Sequence, residues 1–143
     1  MNNTQTIRYE QEIPDVIAHF ANAHPLINDL SADPRLQALV QLRASQINGC
    51  DFCVRMHVRE ALQHGDTEQR LERLPDWRQS DDYNEREKAA LAWAEALTTI
   101  DHVTDFGALR ARLREHFSDQ QIAALTADVA MTNLWNRVNV SRH

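Results

Sequence analysis

Residues 48–57 read Asn-Gly-Cys-Asp-Phe-Cys-Val-Arg-Met-His and contain the only two cysteines of this 143-residue chain. Cys50 and Cys53 are three residues apart, and His57 follows four residues later. On a helix that starts at Cys50, a rotation of about 100° per residue brings the three side chains within roughly 60° of one another. The start of a helix supplies unpaired N–H groups and a partial positive charge, which both favour thiolate over thiol. The spacing therefore predicts a dithiol–disulfide redox centre in which His57 accepts or holds the thiol proton.

The sequence on either side of this run predicts an all-α fold. Only three glycines and four prolines interrupt the chain, and apolar residues recur at helical spacing. Asn84 and Ser118 each begin a capping box, and Gly49 and Gly65 are expected to end helices. We predict one domain, 1–143, with six or seven helices. They are expected over residues 13–23, 34–47, 50–64, 66–74 (exposed), 84–97, 105–117 and 118–138.

Composition limits the classes of partner and compartment. The net charge is −6 and no run of Lys or Arg forms a basic patch, so no nucleic-acid or anionic-membrane partner is expected. No segment reaches the roughly 18 apolar residues of a membrane span, and residues 1–10 do not read as a secretory signal. We therefore expect a cytoplasmic protein. In that reducing compartment an isolated C-x-x-C pair is more often catalytic or metal-binding than structural.

Three segments carry a resemblance to a known family. Residues 39–57 (LVQLRASQINGCDFCVRMH), 85–98 (EREKAALAWAEALT) and 133–137 (NLWNR) resemble the alkylhydroperoxidase AhpD-like branch of the carboxymuconolactone decarboxylase superfamily. The resemblance implies an AhpD-like helical domain that assembles as a homo-oligomer, a trimer or hexamer. It also implies reduction of hydroperoxides, or of a protein disulfide, without a metal or flavin cofactor. A dithiol reductant, such as a lipoylated or thioredoxin-like protein, would restore the C-x-x-C pair.

The resemblance also implies roles for individual residues. Carried over by position, Cys53 becomes the sulfenic acid beside His57, and Cys50 is the proton donor and then the resolving thiol. The family has a glutamate twelve residues before the first cysteine, where this chain has Ala38. This departure predicts a weaker peroxidase or a different thiol reaction. Glu60 could replace that glutamate in the proton relay, or it could be an ordinary solvent-facing residue. The other candidates for the relay are Glu72, Glu85, Glu87, Glu95 or a residue of another protomer.

Other interpretations of the same residues stay open. Two cysteines on one helix face can be buried apolar residues, and Cys50, Cys53, His57 and His64 could ligate zinc. The scaffold could also be a non-catalytic or redox-sensing oligomer, or catalyse a decarboxylase-type lactone reaction, although such relatives typically lack the C-x-x-C pair. Trp93 and Trp135 are expected in the core or a subunit interface. The remaining histidines, at 19, 24, 102, 116 and 143, are expected at the surface.

Overall fold

The structure is a computed structural model that describes residues 2–31 and 33–142. No strand occurs in this part of the chain, so the all-α prediction is confirmed. His143, expected at the surface, lies outside the described residues. The described helices outnumber the six or seven predicted, because a short turn precedes residue 13 and the 66–79 region divides in two. They are α1 (Tyr9–Glu12), α2 (Pro14–Leu30), α3 (Pro34–Asn48), α4 (Asp51–Gln63), α5 (Glu68–Glu72), a 3-10 helix (Leu74–Gln79), α6 (Glu85–Thr98), α7 (Phe106–Arg114) and α8 (Asp119–Val140).

Helix α3 is the centre of the fold. Asp33 caps it by accepting a hydrogen bond from the Leu36 N–H at 3.0 Å, and Pro34 occupies its first turn, as the sequence predicts. The helix packs against α4, α6 and α8, and its Leu39 and Leu42 side chains are completely buried. Helix α3 therefore holds α4, which carries the C-x-x-C pair, in a fixed position against α8.

The junction between α3 and α4 sets the position of the cysteines. Gly49 adopts the left-handed conformation (φ 67°), which favours glycine, and the Cys50 N–H donates to the Ser45 carbonyl at 3.1 Å. The chain thus turns within two residues, and Cys50 becomes the N-cap of α4. The predicted capping boxes at Asn84 and Ser118 are confirmed in the same way by their reciprocal hydrogen bonds.

Helix α2 is longer than predicted. The expected end before His24-Pro25 is wrong, because the helix continues through Pro25 to Leu30. A proline inside a helix removes one backbone hydrogen bond. Packing of α2 against α8 and burial of Ile27 offset that loss. None of the helices in residues 2–31 and 33–142 is long and apolar enough to cross a membrane.

The 66–74 region contains the predicted short helix, α5, but only part of the region is exposed. Asp66, Leu71 and Leu74 are buried. Asp66 accepts a hydrogen bond from Arg70 at 2.8 Å, and the same guanidinium pairs with Glu87 at 2.6 Å. The other charged side chains of α5 face solvent as the sequence predicts, whereas Asp66 and Glu87 pair with Arg70 beneath the surface. Helix α7 also ends three residues earlier than expected, at Arg114.

Candidate active site

The two cysteines lie together at the start of α4. They are paired as a disulfide, with their Cα atoms 5.2 Å apart. The Cys53 N–H donates to the Cys50 sulfur at 3.3 Å, so this sulfur also caps the helix. Both residues are buried, at 3% and 1% exposure. The sequence placed Cys50 at a helix start, and the structure agrees.

A cleft of about 510 Å³ lies between α2, α3, α4 and α8. Cys53 and His57 line it from α4, whereas Cys50 does not. Because Cys53 and His57 are four residues apart on one helix, they lie on the same face. The cysteine that a small molecule in the cleft would meet is therefore Cys53.

His57 is held in a defined orientation by Glu60. Its Nδ1 atom lies 3.0 Å from Glu60 Oε2, and the ring is 7% exposed. An ionised carboxylate only accepts hydrogen bonds, so the neutral ring donates from Nδ1 and keeps the lone pair on Nε2. Burial lowers the pKa of His57, and the neighbouring Glu60 raises it in part. The net lowering keeps the imidazole neutral, and able to accept a proton, near pH 7.

Only one of the candidate relay carboxylates reaches the cleft. Glu60 lines it, with a side chain that is 40% exposed, so it is both hydrogen-bonded to His57 and in contact with solvent. Ala38 lies in the α3 wall and is 3% exposed. The other candidates lie elsewhere: Glu72 and Glu85 are exposed, Glu87 pairs with Arg70, and Glu95 bonds Arg43, Arg78 and Trp77.

The side chains considered as zinc ligands do not form a metal site in the described part of the chain. His64 does line the cleft, but across the described residues no three His, Cys, Asp or Glu side chains are placed to hold a metal ion. The straight path of α4 explains this, since successive turns of one helix present ligands along a line instead of around a point.

Sequence reasoning missed the contribution of α2. His24, expected at the surface, is half-buried and lines the cleft opposite α4. The Trp135 Nε1–H donates to His24 Nε2 at 2.6 Å, and the Phe20 and Trp135 rings form a T-shaped pair. Trp135 is thus a wall of the cleft, whereas Trp93 is a core residue as predicted. The sequence offered no signal for this contact, because its partners are 111 residues apart. Of the other described histidines, His19 and His102 are exposed and His116 is half-buried.

A buried carboxyl group, Asp128 of α8, was also missed. It is 2% exposed, and both its oxygens accept from Gln41 Nε2, at 2.9 and 3.1 Å. Burial raises the pKa of Asp128 to about 6, although the amides of Gln41 and Gln37 lower it in part. A signal was present, because residue 128 falls one turn after Ala124 and one before Thr132, on the buried face of α8.

The raised pKa of Asp128 leads to a prediction about the free energy of unfolding. Folded Asp128 keeps its proton up to about pH 6, whereas the unfolded chain releases it near 3.8, so this group lowers the free energy of unfolding as pH rises between those values. At pH 7 we expect Asp128→Asn to be more stable by up to about 3 kcal/mol, since one pKa unit is about 1.4 kcal/mol. At pH 4 the difference should be small. Urea unfolding at both pH values measures it.

A matched control is Asp29→Asn, which removes the same charge from an exposed position of α2. It should change stability little at either pH. Equal stability of Asp128→Asn and the wild type at pH 7 would contradict the prediction.

The sequence and the fold of this chain are similar to those of known proteins. A family model described as "Carboxymuconolactone decarboxylase family" matches residues 12–96. YdfG of Bacillus subtilis (strain 168), an uncharacterized protein, is 32% identical over 138 residues, which are 96% of this chain and 94% of YdfG. The crystal structure of ATU0492 from Agrobacterium tumefaciens superposes with a TM-score of 0.89 at 34% identity, over 97% of this chain and 95% of that one. ATU0492 is a protein of unknown function ascribed to antioxidant defence as AhpD.

A more distant structure shares the fold. The debrominase Bmp8 superposes with a TM-score of 0.79 at 24% identity, over 92% of this chain and 71% of its own. The family model over residues 12–96 and the 32% identity to YdfG show that the chain belongs to the carboxymuconolactone decarboxylase family. The resemblance to its AhpD-like members, seen first around the cysteines, is confirmed.

Proposed function

We propose that this protein is a thiol-dependent oxidoreductase that reduces hydroperoxides with the Cys50–Cys53 pair. The observation that carries the proposal is the position of Cys53 in the cleft, on the same face as a His57 whose Nδ1 is bound by Glu60. This arrangement has the three elements of an activated nucleophile: a thiol, a neighbouring base, and a group that orients the base.

The reaction begins from the dithiol. His57 Nε2 accepts the proton of Cys53, and the thiolate attacks the terminal oxygen of the hydroperoxide. The O–O bond breaks, an S–O bond forms, and the proton passes to the leaving alkoxide, so the products are a sulfenic acid and an alcohol. The Cys50 sulfur then attacks Cys53, the disulfide forms and water leaves. The peroxide is reduced by two electrons, and the two thiols are oxidised by two.

Reduction of the disulfide needs a second dithiol. Cys50 and Cys53 are only 3% and 1% exposed, so a dithiol on the flat surface of a globular reductant would not reach their sulfurs. A slender dithiol that enters the cleft fits better, which favours a lipoyl-type reductant over a thioredoxin-like one. We place this cycle in the reducing cytoplasm.

The trimer or hexamer stays a prediction. Large apolar side chains of α2 are exposed, among them Leu26 at 69%, and a second copy could cover them.

The proposal predicts a fixed stoichiometry. The reduced protein should show two titratable thiols per chain, and one equivalent of tert-butyl hydroperoxide should remove both and release one equivalent of tert-butanol. With dihydrolipoamide in excess, peroxide consumption should become continuous. Thiol titration and product analysis measure the first stage, and peroxide consumption the second.

Two results would favour the alternatives. Two thiols that never react under native conditions would indicate inert buried cysteines. Thiols that are oxidised once and not reduced by any small dithiol would indicate a redox sensor on the same scaffold.

A further inference from the structure

We propose that Asp128 is a positioning residue: it turns the carbonyl oxygen of Gln41 toward the cleft, where that oxygen accepts the O–H hydrogen of a hydroperoxide. This inference rests on the proposed function and adds a substrate-orienting group on α3 to the Cys53–His57 pair on α4. Neither Gln41 nor Asp128 was a candidate from the sequence.

The orientation of Gln41 follows from what Asp128 can bind. An ionised carboxylate has no hydrogen to donate, so the side of the Gln41 amide that faces it must be the nitrogen, as the two contacts at 2.9 and 3.1 Å show. The oxygen of a planar carboxamide lies on the opposite side from its nitrogen. Gln41 itself lines the cleft, whereas Asp128 faces a separate cavity of about 40 Å³. With the nitrogen held by Asp128, the Gln41 oxygen is the amide atom left for a ligand in the cleft, and among the described residues it accepts no hydrogen bond.

Asp128 interacts with the amides of Gln41 and Gln37 but has no cationic partner among the described residues. Arg86 lines the same small cavity, but it pairs with Asp33 at 2.7 Å, and in the described part of the chain Asp128 forms no salt bridge. The facing Glu60 of α4 opposes ionisation of Asp128. A buried carboxyl without a cation destabilises a fold. Fixing the Gln41 amide at the cleft gives this carboxyl a role that its charge environment does not supply.

The chemistry of the substrate fits this acceptor. A hydroperoxide carries one O–H donor on the oxygen that the thiolate attacks. A fixed acceptor on the α3 wall would hold that hydrogen and so orient the O–O bond toward Cys53. A disulfide has no O–H hydrogen, and the same acceptor can do nothing for it. The Asp128–Gln41 pair should therefore assist peroxide reduction without assisting thiol–disulfide exchange.

The test compares these two reactions in single turnovers of the reduced protein. The probes are tert-butyl hydroperoxide and oxidised lipoamide, each under second-order conditions. Gln41→Met keeps the length of the side chain but removes its oxygen. It should slow the peroxide reaction about tenfold, the value of one hydrogen bond of about 1.4 kcal/mol, and leave the lipoamide reaction unchanged.

Asp128→Asn should slow the peroxide reaction less, because an asparagine can still accept from Gln41 in one of its two orientations. The double variant should be no slower than Gln41→Met alone, since both changes act through one oxygen. The matched control is Gln46→Met, on the same helix but outside the cleft, where the amide bonds Arg43 at 3.1 Å. It should react with both probes as the wild type does.

Three results would overturn the inference. A Gln41→Met protein with the wild-type peroxide rate would do so, whether or not Asp128→Asn folds. An equal loss with both probes would show that the pair only supports the structure. If the reduced wild-type protein reduces lipoamide but not the peroxide, the proposed function is wrong as well. This outcome is distinguishable from the first two, because it is seen in the wild type and not in a variant.

Discussion

Cys53→Ser should abolish hydroperoxide reduction, whereas Cys50→Ser should still attack the peroxide and form the sulfenic acid. Cys53 is the cysteine that lines the cleft with His57, so its replacement removes the nucleophile and should lower the rate on the order of 10⁴-fold or more. Without Cys50 the attack still occurs, but no thiol resolves the sulfenic acid. Mass spectrometry after one equivalent of peroxide should show one added oxygen on Cys53, which dimedone traps.

The two cysteine variants control each other, because each removes one sulfur from the same turn of α4. The opposite pattern, with the oxygen added to Cys50 in the Cys53→Ser protein, would assign the attack to the N-cap cysteine. Cys50 would then use the positive end of the helix in place of the imidazole.

His57→Gln should have the next largest effect. General-base assistance is typically worth about 10²–10⁴-fold, and glutamine cannot accept the thiol proton. The loss should shrink as pH rises toward the pKa of the free thiol, because the thiolate then forms without a base. In the wild type, burial lowers the pKa of His57. The rate should therefore stay nearly constant as the pH falls from 7 to 6.5, the ordinary pKa of histidine. It should decrease only at lower pH, where the imidazole takes up a proton.

The measurement is the second-order rate of the reduced protein with tert-butyl hydroperoxide between pH 5 and 9. His19→Gln is a suitable control, since His19 is exposed on α2 and bonds only the Asp15 carbonyl among the described residues. A His57→Gln protein as fast as the wild type at pH 7 would exclude the imidazole as the base.

Local sequence signals predicted the elements that hold the cysteines. The left-handed turn at Gly49, the caps at Asp33 and Asn84, and the spacing from Cys50 to His57 each depend on residues within one or two turns. Their physics is short-range, so the order of residues alone was enough. The resemblance to the carboxymuconolactone decarboxylase family rests instead on sequence likeness, most of it in the run around the cysteines.

The walls of the cleft depend on contacts between distant parts of the chain. His24 reaches Trp135 because α2 passes through Pro25, and the sequence rule that prolines end helices pointed the other way. Gln41 and Asp128 are 87 residues apart, and Asp66 is buried although it begins a charged segment. In each case tertiary packing outweighed a local preference, and one sequence contains no direct record of which distant side chains meet.

The sulfur that caps α4 has a consequence for repeated turnover. The Cys50 sulfur accepts the Cys53 N–H in the disulfide form, and we expect the free thiol to do the same, so that the first turn of the helix keeps its cap when the disulfide opens. Only two residues separate the cysteines, and so small a ring removes little entropy from the unfolded chain. We therefore expect the free energy of unfolding to be nearly the same in the dithiol and the disulfide states. The proposed cycle of oxidation and reduction could then repeat many times without partly unfolding the protein in either redox state.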